Sequence, residues 1–478
     1  MRKMLFITPV LMFLFHNASL AENVLKSTLD DQTSVEITVY NNNLGLVKDT
    51  RNIDLSQGIG QLRFMDVAAT IMPETVHIKP LSKTAPLSVL EQNFEYDLIN
   101  ETKLLDKYVG KKIKLLKENF YTGQKETVEA TLLSNNNGQV YQVGNEIYLG
   151  FPGQRILPEI PENLIAKPTL TWNYDSPAAG KQSVEVSYLT NNINWKADYV
   201  IVLDGEDQSA GLSGWVTLDN QSGATYKNAK LKLVAGKVNR VQAPMRTERY
   251  VDKMVVSEMS AGIGGFVEQS FFEYHIYDLQ RPTTIKDNQT KQVLLLEGKD
   301  IKTVKEFTVS GNPSYFYQDY RTGDYKVPVN VSVSFKNSKE NSLGMPLPAG
   351  IMRLYKADSS NSLQFIGEDN IVHTPKDENV RLKIGEAFDV IAERKQMDFR
   401  VVSRNVYESS WEVTLRNHKK EDINVVVMEA LASYGEWRIL TSSLPYEKQD
   451  VSTIKFNVAI PKDGEVTLTY QIQVKYGY

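Results

Sequence analysis

Apolar and polar residues alternate with a period of two along most of the chain, which is the pattern of strands with one buried face. Between residues 35 and 40, for example, Val35, Ile37 and Val39 share one face, and a run of asparagines follows as a turn. Similar segments recur to the end of the chain, and clear ones are 184–189, 199–203, 215–218, 327–335, 411–415, 423–428 and 466–476. The pattern predicts an all-β protein built from several β-sandwich modules.

Evidence for helices is sparse. Asn100 is a suitable N-cap residue, and Leu104, Leu105 and Tyr108 are spaced so that they form one apolar side of a short helix. We expect this helix to be the longest one after the N-terminal segment.

The N-terminal half is divided by prolines that follow residue 157. Residues 22–165 are predicted to form an N-terminal β region. Within it, residues 110–158 combine short strands with tight turns, such as the one at 135–138, and predict a small five-stranded, SH3-like barrel.

The remainder of the chain is predicted as further β regions. Residues 168–241 form the first part of a sandwich region and residues 269–380 its second part. Between them, residues 242–268 show no sustained period and are predicted to be a mobile linker. Residues 381–478 carry seven strand candidates, a number typical of an immunoglobulin-like sandwich.

The first 21 residues have the composition of a secretory signal peptide. Arg2 and Lys3 are followed by a mainly apolar run over 4–15, and small residues at Ser19 and Ala21 fit a cleavage site. The run is too short to span a membrane comfortably, and no later segment is long enough. We therefore predict cleavage after Ala21, a periplasmic or secreted location, and no transmembrane helix after cleavage.

The composition excludes several classes of catalytic and binding site. The 478 residues include no cysteine, which excludes disulfides, thiolate catalysis, zinc ribbons and cysteine-ligated clusters. The 54 basic and 58 acidic side chains nearly balance, which argues against a nucleic-acid partner. The sequence contains no Walker-type phosphate loop, dinucleotide fingerprint or nucleophile elbow. No cofactor and no resident metal are expected, and an exported chain without cysteine fits a bacterial envelope.

Four histidines follow residue 21, and His373 has the most suggestive context among them. Glu368 and Asp369 precede it in a polar stretch, so a general base or a divalent metal ligand is one interpretation. The alternative is a polar loop between strands.

His275 and Tyr277 form a second candidate site. In a strand the two side chains share one face and could recognise a ligand, although ordinary packing with polar tips at a sheet edge is the alternative. His275 and His373 are 98 residues apart, so their convergence is left open by the sequence.

Six segments carry a family pattern: 188–199 (YLTNNINWKADY), 228–236 (NAKLKLVAG), 274–277 (YHIY), 291–293 (KQV), 347–350 (LPAG) and 371–375 (IVHTP). In order and spacing they resemble the bacterial family catalogued as domain of unknown function 4139, which is related to the mucoidy inhibitor A proteins. The resemblance covers about residues 168 to 478. It implies an exported, mostly β protein and transfers no catalytic residues.

These observations favour a non-enzymatic binding or scaffold protein of the cell envelope, whose partner is another envelope protein or a glycan. One alternative is a hydrolase of envelope glycan or peptide that uses His373 and the nearby acids. The other is an outer-membrane β-barrel, because residues 466–478 alternate and end in an aromatic residue.

Overall fold

The computed structural model describes residues 24–82, 86–118, 122–161, 164–236, 238–239, 265–431 and 435–476. The predicted signal peptide with its cleavage site at Ala21 lies outside these residues, as does most of the predicted linker over 242–268. Strands account for 64% of the structure and helices for 5%, so the predicted all-β fold is confirmed. Within the described ranges, no helix is both long and apolar enough to cross a membrane.

The strands are numbered in chain order. Up to residue 235 they are β1 (Val24–Ser27), β2 (Gln32–Tyr40), β3 (Leu44–Leu55), β4 (Gly58–Met65), β5 (His77–Pro80), β6 (Ser88–Glu95), β7 (Lys112–Glu118), β8 (Lys125–Ser134), β9 (Val140–Val143), β10 (Glu146–Leu149), β11 (Gln154–Ile156), β12 (Thr169–Ser176), β13 (Gly180–Thr190), β14 (Ile193–Leu203), β15 (Ser209–Asn220) and β16 (Tyr226–Ala235).

Further along the chain the strands are β17 (Phe266–Phe271), β18 (Tyr274–Leu279), β19 (Thr283–Ile285), β20 (Gln289–Ser310), β21 (Asp324–Val327), β22 (Asn330–Lys336), β23 (Gly350–Ala357), β24 (Leu363–Ile371), β25 (Asn379–Glu386), β26 (Val390–Ser403), β27 (Val406–Asn417), β28 (Ile423–Ala430), β29 (Gly435–Ser442), β30 (Tyr446–Lys448), β31 (Thr453–Ile460) and β32 (Glu465–Tyr476). The helices are α1 (Glu101–Tyr108) and short 3-10 turns at Leu29–Asp31, Pro73–Thr75, Pro313–Phe316 and Lys339–Asn341.

The chain forms two compact units, each assembled from separate stretches. The first unit contains the residues up to Val35, Leu46–Asn191 and Ser222–Ala224, and the second contains Glu36–Gly45, Asn192–Gln221 and the residues from Thr225 onward.

The first unit includes a four-stranded sheet in the order β1-β4-β12-β6. Leu62 and Phe64 of β4 and Leu170 and Trp172 of β12 are fully buried, because alternate residues of a strand point to the same face. A second sheet, β10-β9-β8-β7-β11, occupies the segment where a small barrel was predicted. In the described residues this sheet is open, since its ladder ends at β10 and β11.

Helix α1 packs on this five-stranded sheet. The Asn100 side chain accepts a hydrogen bond from the backbone N–H of Lys103 at 2.9 Å, so the predicted N-cap is confirmed. Leu105 and Tyr108 are buried in one cluster with residues of β7, β8 and β9. The predicted apolar side of the helix is therefore its packing face.

The second unit contains a large sheet in the order β24-β23-β14-β15-β20-β28-β31-β30, from which β22 and β25 branch. Strand β20 is 22 residues long. Its first half pairs with β15, and its second half pairs antiparallel with β22 and parallel with β28. The same unit contains β17, β18, β16 and the part of β2 from Glu36 onward, which follow one another in a further sheet.

The C-terminal strands form a two-sheet sandwich, as predicted. The sheet β21-β26-β27-β32-β29 faces β28, β31 and the end of β20 across a shared core. Trp411 of β27, Val425 of β28, Phe456 of β31 and Phe307 of β20 all belong to this core.

The predicted linker extends too far at its C-terminal end. Strand β17 begins at Phe266, inside the range predicted as linker, and pairs with β18 along its whole length. Phe266 and Glu268 are buried, because alternate residues of β17 face the interior. The glycines before Phe266 hid this short strand in the sequence pattern.

Candidate functional site

The hairpin of β17 and β18 supplies the first side chains of the candidate site. In its register Glu268 lies opposite Tyr277 and Ser270 lies opposite His275. Because directly paired residues of an antiparallel ladder share a face, all four side chains lie on one side of the hairpin. On its other edge β18 pairs with β16, which fixes the strand in the sheet.

Glu268 and His275 form a close pair on this face. The carboxylate Oε1 of Glu268 lies 2.7 Å from Nδ1 of His275. The Glu268 side chain is 3% exposed, whereas that of His275 is 40% exposed. When Glu268 is ionised its carboxylate can only accept, so Nδ1–H of His275 donates, and Nε2 has no hydrogen-bond partner among the described residues. The pair therefore presents a fixed imidazole on a buried carboxylate.

Tyr277 has a structural role beside this pair. Its ring is buried and packs edge-on against Trp195 at 6.3 Å between ring centroids. Its hydroxyl donates to the carbonyl oxygen of Pro346 at 3.0 Å. Burial, and then the negative charge of Glu268, raises the pKa of Tyr277 well above its usual range. The hydroxyl predicted as a ligand contact is thus engaged within the protein.

The segment after Pro346 connects Tyr277 to His373. Leu347 and Thr374 exchange two backbone hydrogen bonds, at 2.8 and 2.9 Å. Two residues further on, the backbone N–H of Ala349 donates to Nδ1 of His373 at 3.1 Å. The segment 346–349 therefore links His373 to the β17–β18 hairpin, which carries His275.

Tyr199 of β14 also anchors the segment that follows Pro346. Its hydroxyl donates to the carbonyl oxygen of Pro348 at 2.8 Å. The phenol is fully buried, and burial, followed by the charge of Tyr277 and Asp198, raises its pKa well above its usual range. Because buried hydrogen bonds of this kind are costly to break, the backbone around Pro348 is well anchored.

His373 and His275 are close enough to interact electrostatically. Burial of the imidazole, and then the positive charge of nearby His275, lowers the pKa of His373, although the residue has an exposed surface. The bond from Ala349 requires a lone pair on Nδ1, so the neutral ring carries its proton on Nε2. The two residues, 98 apart in sequence, are thus connected through the contacts of Tyr277 with Pro346 and of Ala349 with His373. We call Glu268, His275 and His373 the histidine site.

The acids predicted beside His373 have other partners. Glu368 Oε2 lies 3.1 Å from Nε of Arg353 in an ion pair between β24 and β23. The Asp369 carboxylate accepts from the backbone N–H groups of Asn370 and Lys383, both at 2.8 Å. Among the described residues, neither carboxylate hydrogen bonds to His373. Their catalytic role stays a prediction.

Glu268 is the site residue that sequence reasoning missed. It lies in the range 242–268, which the sequence pattern predicts to be a linker and not a strand. The signal that identifies it is its position two residues after Phe266, because residues two apart in a strand lie on the same face. In the part of the chain that the structure describes, no group of three or more His, Asp or Glu side chains has the arrangement of a metal site.

The comparisons with known proteins agree with the resemblance seen in the sequence. A family model described as "Domain of unknown function (DUF4139)" matches residues 184–477. The match includes the whole histidine site, and Trp195, Tyr277, Ala349 and His373 come from four of the segments that carry the resemblance. A search of the curated proteins finds no match to this chain.

Proposed function

Because the chain belongs to the DUF4139 family, whose function is unknown, we propose that it is an exported cell-envelope protein that binds its partner non-enzymatically at the histidine site. One observation carries the proposal. Protein groups fix both imidazoles at Nδ1, and among the described residues neither Nε2 atom has a hydrogen-bond partner. A relation to the mucoidy inhibitor A proteins stays a prediction.

The chemistry of the two Nε2 atoms supports a glycan as the partner. In its neutral form His373 offers an N–H donor, and neutral His275 offers a lone pair. A hydroxyl group is complementary to this pair, because it can accept from one ring and donate to the other. Since hydrogen bonds already hold both rings, little side-chain freedom is lost on binding.

Binding is tested with the chain lacking residues 1–21 and immobilised glycan fractions of a bacterial envelope. His275→Ala removes one ring, and His373→Asn removes Nε2 while its amide oxygen can still accept from Ala349. Each change is expected to weaken binding about fivefold, the equivalent of about 1 kcal/mol per hydrogen bond.

The exposed His418 provides a matched control, and His418→Ala should bind as the unchanged chain does. Equal glycan binding by the His275, His373 and His418 variants would rule out recognition at the histidine site.

Export rests on the predicted signal peptide. Expression of the full chain in a bacterium with two membranes should yield protein that begins at Glu22 and is released by osmotic shock. A protein that keeps residues 1–21 and stays in the cytoplasmic fraction would contradict export.

The Glu268–His275 pair favours a hydrolase as a second candidate function. A buried carboxylate that orients an imidazole is the arrangement of a general base, here with Ser270 or a water as the group activated. In this second candidate function the proposed base is His275, and the role of His373 with Glu368 and Asp369 stays a prediction.

Turnover of envelope glycan or peptide that is lost in Glu268→Gln would favour the hydrolase. Binding without turnover would favour the first proposal.

A further inference from the structure

The second unit contains a concave pocket of about 280 Å³ at strands β20, β22, β24 and β25. Its floor is formed by six apolar side chains: Leu203, Phe307, Val331, Val333, Ile366 and Ile384. Leu203, Phe307 and Val333 are buried, and the other three are partly exposed. The floor is thus an apolar surface that the protein itself leaves partly open to solvent.

The mouth of the pocket carries an unusually exposed aromatic side chain. Phe388 is 96% exposed and follows Ala387, which also lines the pocket. Burial of apolar surface contributes about 25 cal/mol per Å², so an apolar ligand that covers the floor and Phe388 gains free energy.

The rim is cationic. Lys305 donates to Asp207 Oδ2 at 2.7 Å, and Lys356 donates to Asp207 Oδ1 at 2.5 Å. Burial acts to raise the pKa of Asp207, but the hydrogen bonds from both lysines outweigh it and lower the pKa. One carboxylate therefore serves two ammonium groups, and a positive charge remains at the rim.

A third lysine, Lys419, lies at the same rim and pairs with Glu421 outside the lining, with 3.6 Å between Nζ and Oε1. Nζ of Lys419 lies 5.9 Å from the centre of the Phe307 ring, and Nζ of Lys305 lies 5.6 Å from it. Two ammonium groups thus flank the aromatic floor. Since Lys419 has its own carboxylate partner, the unbalanced positive charge lies on Lys305 and Lys356, which share Asp207. The exposed Asp389 is the other acid of the lining.

We infer that this lysine-rimmed pocket binds a free medium-chain carboxylate, with the alkyl chain on the apolar floor and the head group among Lys305, Lys356 and Lys419. The size agrees, because about 280 Å³ is just below the range of about 300–1,000 Å³ typical of small-molecule sites, so a small ligand is expected. Octanoate, which has ten non-hydrogen atoms, is a ligand of this size. The inference is independent of the function proposed for the histidine site.

Calorimetric titration of the chain lacking residues 1–21 tests the head-group chemistry with three probes of equal chain length. Octanoate is expected to bind saturably at one site, 1-octanol about tenfold more weakly because it lacks the charge-assisted contact, and octyltrimethylammonium not measurably. Absence of saturable octanoate binding, or equal binding of the cationic probe, would overturn the inference.

Two variants locate the site. Ala387→Phe fills the pocket and should abolish octanoate binding, and Lys356→Gln should weaken it about tenfold through loss of an ionic hydrogen bond. Lys462→Gln, at an exposed position outside the pocket, is the control and should bind normally.

The ligand would have to bind outside this pocket if octanoate affinity were the same in Lys356→Gln, Lys419→Gln and Lys462→Gln. Thermal melting reports whether each variant is folded. If Ala387→Phe fails to fold, the lysine variants decide the outcome.

Discussion

Glu268 and Glu429 are both buried carboxylates, but they have different partners. Glu268 holds His275, whose side chain is 40% exposed. Glu429 holds Arg394, whose charge is permanent, and both side chains are fully buried. The first pair is accessible to a ligand, whereas the second is a structural element of the sandwich core.

The surroundings of Arg394 show how a permanent charge is accommodated. Its guanidinium donates to Glu429 at 2.6 Å and to the Tyr470 hydroxyl at 3.0 Å, and it stacks near the rings of Tyr315 and Trp411. Burial alone would lower the pKa of Arg394, but the charge of Glu429 raises it. Arg394 therefore stays protonated throughout the accessible pH range.

The largest effect is expected from breaking the Arg394–Glu429 pair on one side. Glu429→Ala leaves a buried, unpaired guanidinium and should lower the free energy of unfolding by about 3–5 kcal/mol. Urea unfolding of the whole chain measures the change. The double variant Arg394→Met, Glu429→Leu removes both charges and should lose less. If Glu429→Ala proves as stable as the unchanged protein, the pair has no structural role.

A smaller effect is expected next to the same carboxylate. A Cβ at Gly311 would overlap with Oε2 of Glu429, so Gly311→Ala forces a shift in a packed region. Overpacking of this kind costs about 1–3 kcal/mol. Urea unfolding should show this loss, while Gly211→Ala, at a position with open space, should show much less. Equal losses at both glycines would mean that contact with Glu429 is not the cause.

Glu268→Gln is expected to change stability by about 1 kcal/mol or less, because the amide oxygen can still accept from His275. Its effect should appear instead in binding or turnover at the histidine site. A loss of stability as large as that of Glu429→Ala would make both carboxylates structural.

The smallest effect concerns the pH dependence of stability at His373. Its pKa in the folded chain lies below the ordinary value of 6.5, so the unfolded chain binds the proton more readily. Stability should therefore fall as pH decreases from 6.5 and level off below the lowered pKa, with no contribution above 6.5. Urea unfolding at several pH values should show a shallower dependence in His373→Asn. An unchanged profile would mean that His373 titrates normally.

Strand alternation predicted a large part of this structure. It placed His275 and Tyr277 on one face of a strand and identified the sandwich at the C-terminus, because both depend on local period alone. The cap at Asn100 was equally local. These features need no knowledge of how distant segments meet.

The convergence of His275 and His373 could not be predicted in the same way. It depends on two contacts between separate segments, since Tyr277 and Pro346 are 69 residues apart and Ala349 and His373 are 24 residues apart. The buried carboxylates did leave a signal. Glu429 lies on the same strand face as Val425 and Val427, and Glu268 lies on the same face as Phe266. A charged residue on an otherwise apolar strand face therefore indicates a buried carboxylate with a charged or polar partner.

Strand β20 has a consequence for dissecting the protein. Its 22 residues extend over about 70 Å at roughly 3.3 Å per residue, and they serve two successive ladders. Phe307 and Val309 near its end complete the core of the C-terminal sandwich. A fragment that starts at residue 381 would lack both side chains and the parallel neighbour of β28. Expressed alone, it should show fast amide hydrogen exchange along β28, whereas the same amides should be strongly protected in the whole chain.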